Sequence, residues 1–268
     1  MRVGVIGNGY VGKATAFISS EHDVKFNDID ESKSDWPLDR IAMGCDLIFI
    51  CVPTPMNEDG SCHLSIVDSV VSKLKSFGAE TDKIILRSTV PVGTSMSMGV
   101  NFMPEFLTEK NWKQDVVDCK DWIFGLHDKD NSNINLIKQL IGENKVIHFC
   151  STREAELCKN IRNCFLATKV SFFNEVYDFC EKLDVSYKEV KRLTLLDERI
   201  NVSHTQVPGH DGKKGFGGTC FPKDIRSLLH QMNEVKMDSY ILKAAIYRNE
   251  NIDRPQRDWQ DNKGRTVV

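Results

Sequence analysis

Short apolar runs alternate with amphipathic stretches through the first half of the chain. The runs at 3–6, 24–27, 47–52, 84–88 and 122–125 are too short for helices and carry Val, Ile, Leu, Phe or Trp, so each is predicted as a strand. Helical or loop segments separate them, an alternation that predicts a parallel sheet with right-handed crossovers. The clearest crossover helix covers 64–77, where Ile66, Val67, Val70, Val71 and Leu74 recur at helical spacing on one core-packing face. From about Thr152 the strand pattern stops. Leu157, Ile161, Phe165, Val170, Phe173, Val176 and Phe179 form an apolar stripe that continues to Leu183, which predicts one long helix bridging two domains. Helices near 187–196, 222–235 and 238–251 follow, with a loop rich in Gly and His over 201–219. Residues 254–268 are polar up to Arg265-Thr266-Val267-Val268, which reads as the opening of a further strand.

Composition narrows the class. A chain of 268 residues with 41% hydrophobic residues and a formal net charge of −3 can bury a substantial core, and gives no electrostatic reason to expect nucleic acid or an anionic membrane. Small molecules are the expected partners. The first residues lead directly into a glycine turn with no signal-peptide pattern, and no segment is long enough to span a bilayer. Nine cysteines, an odd number without a C-x-x-C pair, argue against a disulfide framework and a zinc site, so a reducing cytoplasm is expected. The seven histidines show no metal spacing, and His204 and His210 read as polar loop residues; no metal is expected.

Gly7-Asn8-Gly9-Tyr10-Val11-Gly12 directly follows the first predicted strand, where the first helix would turn its N-terminal amides toward a pyrophosphate. Asp28 sits at the end of the second strand, where a carboxylate can bind ribose hydroxyls and repel a 2′-phosphate. Together they favour NAD over NADP; the bland reading is a tight turn in a non-binding α/β domain. The expected fold is therefore α/β: a Rossmann-type doubly wound sheet over 1–151, then a small all-helical domain over 152–258 joined by the long helix. Residues 259–268 would be a tail or the start of a third domain.

Near the other end stands Gly215-Phe216-Gly217-Gly218-Thr219-Cys220-Phe221-Pro222-Lys223-Asp224. Glycines let backbone amides approach a substrate, and Pro222 is placed to open a helix whose positive end stabilises a Cys220 thiolate. Asp224, four residues on, can position or deprotonate water. Lys159 and Asn163, also four apart, can bind an oxyanion or move a proton, although such a pair alone reads more readily as a solvated helix face. The remaining cysteines adjoin apolar residues and read as small core hydrophobes. Loops carrying Val52-Pro53-Thr54-Pro55, Ser88-Thr89-Val90-Pro91-Val92-Gly93 and Met103-Pro104-Glu105-Phe106-Leu107-Thr108-Glu109 follow strand-like runs, where a doubly wound sheet holds its ligands.

These phrases, together with Phe173-Asn174-Glu175 and Asp197-Glu198-Arg199-Ile200, occur in the order seen in the UDP-glucose/GDP-mannose dehydrogenase family, and the chain resembles that family over essentially its whole length. The cysteine phrase is closest to the form found in its UDP-glucose 6-dehydrogenases. The resemblance implies NAD-dependent oxidation of the C6 alcohol of UDP-glucose to UDP-glucuronate by two hydride transfers, through a thiohemiacetal and a thioester on cysteine. It implies Cys220 as nucleophile, Lys159 and Asn163 as oxyanion stabilisers, Asp224 with Thr89 ordering a water, Glu109 as general base and Glu105 in support. Cofactor contacts are implied at Gly7, Gly9, Tyr10, Val11, Gly12, Asp28, Lys33, Pro53, Thr54, Thr89 and Glu109. Substrate contacts are implied at Phe106, Leu107, Lys159, Asn163, Asn174, Arg199, Phe216, Gly217 and Cys220, with Lys223 in a positioning role. A homodimer, paired through the long helix, is also implied.

Two positions depart from the family: Thr108 stands where an arginine is usual, and Asn201 where a glycine is usual. Full-length members continue into a third domain that closes on the nucleotide, and this chain reads as ending at its first strand. Two other readings remain open. A β-hydroxyacid-type dehydrogenase would need no cysteine and would yield one NADH per substrate; an inactive homologue would bind NAD without turnover.

Overall fold

The structure, a computed structural model, describes residues 1–128, 132–142 and 144–268. They divide into two compact units, one of Met1–Thr54 and His63–Lys159, the other of Pro55–Cys62 and Asn160–Val268.

The first unit runs β1 (Arg2–Ile6), α1 (Tyr10–Ile18), β2 (Asp23–Asn27), α2 (Leu38–Gly44), β3 (Leu47–Ile50), α3 (Ser65–Ser76), β4 (Ile84–Leu86), α4 (Thr94–Met98), β5 (Asn101–Phe102), α5 (Trp112–Asp118), β6 (Asp121–Leu126), α6 (Ile134–Ile141) and β7 (Val146–Ser151). The strands form one sheet in the order β2-β1-β3-β4-β5-β6-β7, parallel throughout except between β5 and β6. Alternation along the strands sends Ile48, Ile50 and Leu86 to the face that also holds Val67, Val71 and Leu74 of α3. Val5, Phe49 and Ile85 go to the opposite face, with Ala14 of α1 and Val116 of α5. A sheet covered on both sides has no polar face, which is why β3 and β4 are wholly buried apolar runs. Strand order reverses at β1, between β2 and β3, so the turns after β1 and β3 flank the crevice where such sheets take ligands.

Two strands of this sheet were not among the five predicted runs, β5 being noted only as the strand-like run before Met103. β5 is two residues long, and β7 intersperses His148 and exposed positions along an edge, so neither shows an apolar run.

In the second unit lie most of α7 (Thr152–Leu183), then α8 (Tyr187–Thr194), α9 (Phe221–Glu234) and α10 (Tyr240–Arg248), which passes into a π-helical turn at Asn249–Asp253. Phe216, Ile225, Leu228, Leu242 and Ile246 form one core cluster; Phe173, Cys180, Tyr187 and Val207 form another. The apolar stripe that predicted α7 divides between buried and exposed positions. Phe173 is buried, whereas Ile161, Phe165 and Phe179 are 51%, 64% and 62% exposed. The buried side is carried by Asn160, Cys164, Ala167, Ser171 and Asn174, at spacings of four, three, four and three. Small side chains let neighbouring segments approach this helix closely.

The predicted strand at the C-terminal end is not formed. Val267 makes isolated bridges to Met56 and Lys263, and the Met56 N–H donates to Thr266 O at 2.8 Å. These contacts tie residues 266–268 to residue 56 within the second unit.

Candidate active site

The glycine turn in the first unit is shaped for an anion. A Cβ at Gly12 would lie 1.9 Å from the Gly7 carbonyl oxygen, so α1 can start this close to β1 only with glycine there. A Cβ at Gly9 would meet nothing within 4 Å, which leaves the outer side of the turn open. Tyr10 and Val11 open α1 behind Gly9, with no side-chain cap and no acidic residue in the first turn, so its N-terminal partial charge is not neutralised locally. Asp28 accepts from Asn8 N–H at 2.6 Å and from Asp30 N–H at 3.0 Å, which fixes the carboxylate against the turn. Lys33 is exposed and paired with Asp30 at 2.8 Å. This open turn, bare helix end and fixed acid fit a dinucleotide.

Beyond β3, Pro53 leads to the buried Thr54, whose hydroxyl donates to Thr89 O at 2.7 Å and so joins the loop after β3 to the loop after β4. The far end of that second loop is held by Glu156 of α7, which accepts from Gly93 N–H at 2.5 Å and Ser95 N–H at 2.7 Å. Burial pushes the Glu156 carboxyl up, against those two donors. Glu105 is 4% and Lys159 3% exposed. The Glu105 carboxylate accepts from Leu107 N–H, and Lys159 Nζ approaches it at 3.4 Å while also donating to the Glu105 carbonyl. Lys159 also lies 5.7 Å from the centroid of the Phe106 ring. Glu109 is exposed in the following turn. Thr108, at the departure from the family pattern, donates through both N–H and hydroxyl to Asp115 at 2.7 Å.

Cys220 in the second unit caps the N-terminus of α9, with Pro222 in its first turn, and its carbonyl accepts from Asp224 N–H at 3.0 Å. Asp224 is 2% exposed and has both oxygens engaged, one by Lys223 Nζ and the other by Asn163 Nδ2, each at 2.5 Å. Burial works to lower the Lys223 pKa, but the Asp224 carboxylate and the Cys220 sulfur outweigh it and hold the ammonium above its usual range. Cys220 thus stands at the positive end of a helix with the Lys223 ammonium beside it.

Lys159 and Asn163 are thus not on a solvated face: each is buried and bound to a carboxylate. Asn174 is buried and spans from Val170 O to Gly215 N–H, so it holds the cysteine loop. Arg199 is apart from this cluster; its side chain is 88% exposed and paired with Asp197. A cavity of about 610 Å³ adjoins the loop, lined by Phe216, Gly217, Phe221, His204, Arg254 and Trp259 among others. Glu156 and Asn249, within predicted helices, and Arg254, at the start of the polar C-terminal stretch, were not picked out by sequence.

Comparison with known proteins matches the two halves separately. A family model described as the UDP-glucose/GDP-mannose dehydrogenase family, NAD binding domain, matches residues 35–143, and the same family's central domain matches 153–251. The UDP-glucose 6-dehydrogenase of Rickettsia prowazekii is 30% identical, over 93% of this chain and 67% of that protein. A UDP-glucose 6-dehydrogenase of Bacillus subtilis is 29% identical, over 94% of this chain and 66% of that protein. The structure of a UDP-glucose dehydrogenase from Pyrobaculum islandicum has a TM-score of 0.80 at 25% identity, over 93% of this chain and 68% of that one. The chain spans about two thirds of the length of these relatives.

Proposed function

Because the chain belongs to the UDP-glucose/GDP-mannose dehydrogenase family and carries its NAD-binding domain, we propose that it oxidises the C6 alcohol of UDP-glucose to the carboxylate of UDP-glucuronate. The observation that carries this reading is Cys220 at the N-cap of α9 beside a Lys223 ammonium that is itself held by Asp224. A two-electron alcohol dehydrogenase has no use for an activated thiol; a four-electron one needs it to keep the aldehyde bound and make it oxidisable again.

NAD supplies the hydride acceptor for both oxidations. The chain's own residues do the rest. Gly9, Tyr10, Val11 and Gly12 present the α1 amide end to the diphosphate, and Asp28 takes the ribose hydroxyls, with Lys33, Pro53 and Thr54 along the same rim. The Cys220 thiolate adds to the C6 aldehyde carbon, the carbonyl oxygen takes up a proton, and a thiohemiacetal forms. Loss of hydride from that carbon and of the hydroxyl proton gives the thioester. Water then adds, the C–S bond breaks, and the acid leaves with the thiol restored. Lys159 and Asn163 are assigned the oxyanion, Thr89 and Asp224 the water, and Glu109 its proton, while Glu105 holds Lys159 in place. Phe106, Leu107, Phe216 and Gly217 are assigned sugar contacts; Asn174 and Arg199 complete the substrate set. The exposed apolar side of α7, with Phe165, Phe172 and Phe179, suits pairing of two copies, which sedimentation would register.

NADH stoichiometry tests the reading. Two NADH per UDP-glucose consumed, with UDP-glucuronate as product and GDP-mannose inert, is expected; one NADH per substrate contradicts it.

A further inference from the structure

We infer that Asn249 is a positioning residue for the cysteine loop. The inference rests on Cys220 being the nucleophile, but nothing in the family resemblance or in the sequence pattern marks Asn249. It sits where α10 gives way to the π-helical turn Asn249–Asp253, closed by a 2.7 Å hydrogen bond from Arg254 N–H to Asn249 O. Such turns are rare and occur frequently at functional sites.

The Asn249 side chain at the start of this turn is fully buried. Asn249 Oδ1 accepts from Phe216 N–H at 2.7 Å, and Nδ2 donates to Phe216 O at 3.0 Å. One side chain thus satisfies both backbone groups of a single loop residue, as a neighbouring strand would. The loop lies on this turn without slack. Gly215 has φ +69°, and a Cβ there would fall 2.3 Å from Asn249 Oδ1 and 3.0 Å from Asp253 Cβ. At Gly217 a Cβ would fall 2.6 Å from the guanidinium carbon of Arg254. Asn174 holds Gly215 N–H from the other side, and the Phe216 ring is buried in the core with Ile225 and Ala245.

Residues 215–217 are therefore clamped in a fixed register on the π-turn. Only Gly218 and Thr219 separate them from Cys220, and the three Cα steps from Gly217 to Cys220 span at most about 11 Å. Placement of the sulfur at the α9 N-terminus beside Lys223 follows from where Asn249 holds Phe216. Asn249 bonds to the loop backbone, so it acts through the loop.

Alkylation of Cys220 by iodoacetamide, followed on its own peptide by mass spectrometry across about pH 6 to pH 10, reads that placement without turnover. The full chain is compared with Asn249→Ala, Asn249→Asp and Val190→Ala, a destabilising change in the other core cluster of the second unit. Asn249→Ala is expected to change the Cys220 rate by about fivefold or more and to move its pH midpoint. Asn249→Asp, which keeps the acceptor for Phe216 N–H and loses the donor, falls between it and the parent. Val190→Ala lowers Tm and leaves the midpoint in place. If Asn249→Ala does not fold, Asn249→Asp is judged by the same midpoint shift. Parental rate and midpoint in the Asn249 variants, or an equal shift in Val190→Ala, overturns the inference. Since no substrate is involved, failure of the proposed oxidation leaves this outcome readable by itself.

Discussion

The Asn163 side-chain amide donates to the Asp224 carboxylate at 2.5 Å, and the other carboxylate oxygen takes the Lys223 ammonium at the same distance. Asp224 is a structural counter-ion before it is anything else. Asp224→Asn leaves a largely covered ammonium without its carboxylate partner and is expected to cost about 3 kcal/mol of stability. Adding Lys223→Met to that variant should recover part of the loss. Denaturant unfolding of the single and double variants checks this; a double variant no more stable than Asp224→Asn contradicts the pairing.

Asp253 gives the second unit a titration that runs opposite to that of an ordinary ion pair. Burial pushes its carboxyl from 3.8 up to about 6, the nearby Asp178 adds to the rise, and Arg248, at 2.9 Å, opposes it. A carboxyl whose folded pKa is raised contributes its stability fully below the unfolded value and loses it as pH rises through the folded one. Asp253→Asn should therefore gain on the parent as pH rises from about 4 to about 7, by about 3 °C in the Tm difference. A Tm difference that stays flat or falls over that range would count against the raised value.

At the glycine turn, Gly12→Ala would force a Cβ into the Gly7 carbonyl, a 1.9 Å approach. The turn must open, and the α1 end moves with it. Calorimetric titration with NAD is expected to show binding weakened by about tenfold or more. Unchanged affinity would place the cofactor elsewhere.

Asp28 braces the turn through Asn8 N–H, and the proposed function assigns its charge to the ribose hydroxyls. Asp28→Asn keeps an acceptor and removes the charge. NAD binding should weaken only a few-fold while preference against NADP shrinks by about tenfold. An undiminished preference for NAD would assign the discrimination to another residue.

Some of this was legible in the chain and some was not, for identifiable reasons. Leu47–Ile50 announces itself because a strand buried on both faces must be apolar throughout, whereas the two residues of Asn101–Phe102 carry no pattern. On α7, the apolar stripe marked the helix but not its packed side within the chain, where Cys164, Ala167, Ser171 and Asn174 are buried alongside Phe173 while Ile161, Phe165 and Phe179 are exposed. Cys220 and Asp224 stand out by their spacing around Pro222, whereas Lys159 and Asn163 read alone as a solvated face, and only the fold shows both buried against carboxylates. Glu156 reaches Ser95 across 61 residues and Asn249 reaches Phe216 across 33, so no local period marks either of them. In the sequence Lys223 has only a minor positioning role, because its pairing with the buried Asp224 carboxylate, which holds the ammonium charged against the effect of burial, appears only in the fold.

The covalent step is open to one decisive observation. The chain is incubated with NAD and UDP-glucose, quenched in acid, and its Cys220 peptide weighed by mass spectrometry. A hexose-derived adduct on that peptide during turnover, missing from Cys220→Ser, is the expected result. UDP-glucuronate formed with no such adduct, or at the parental rate by Cys220→Ser, would mean that the thiol does not carry the sugar.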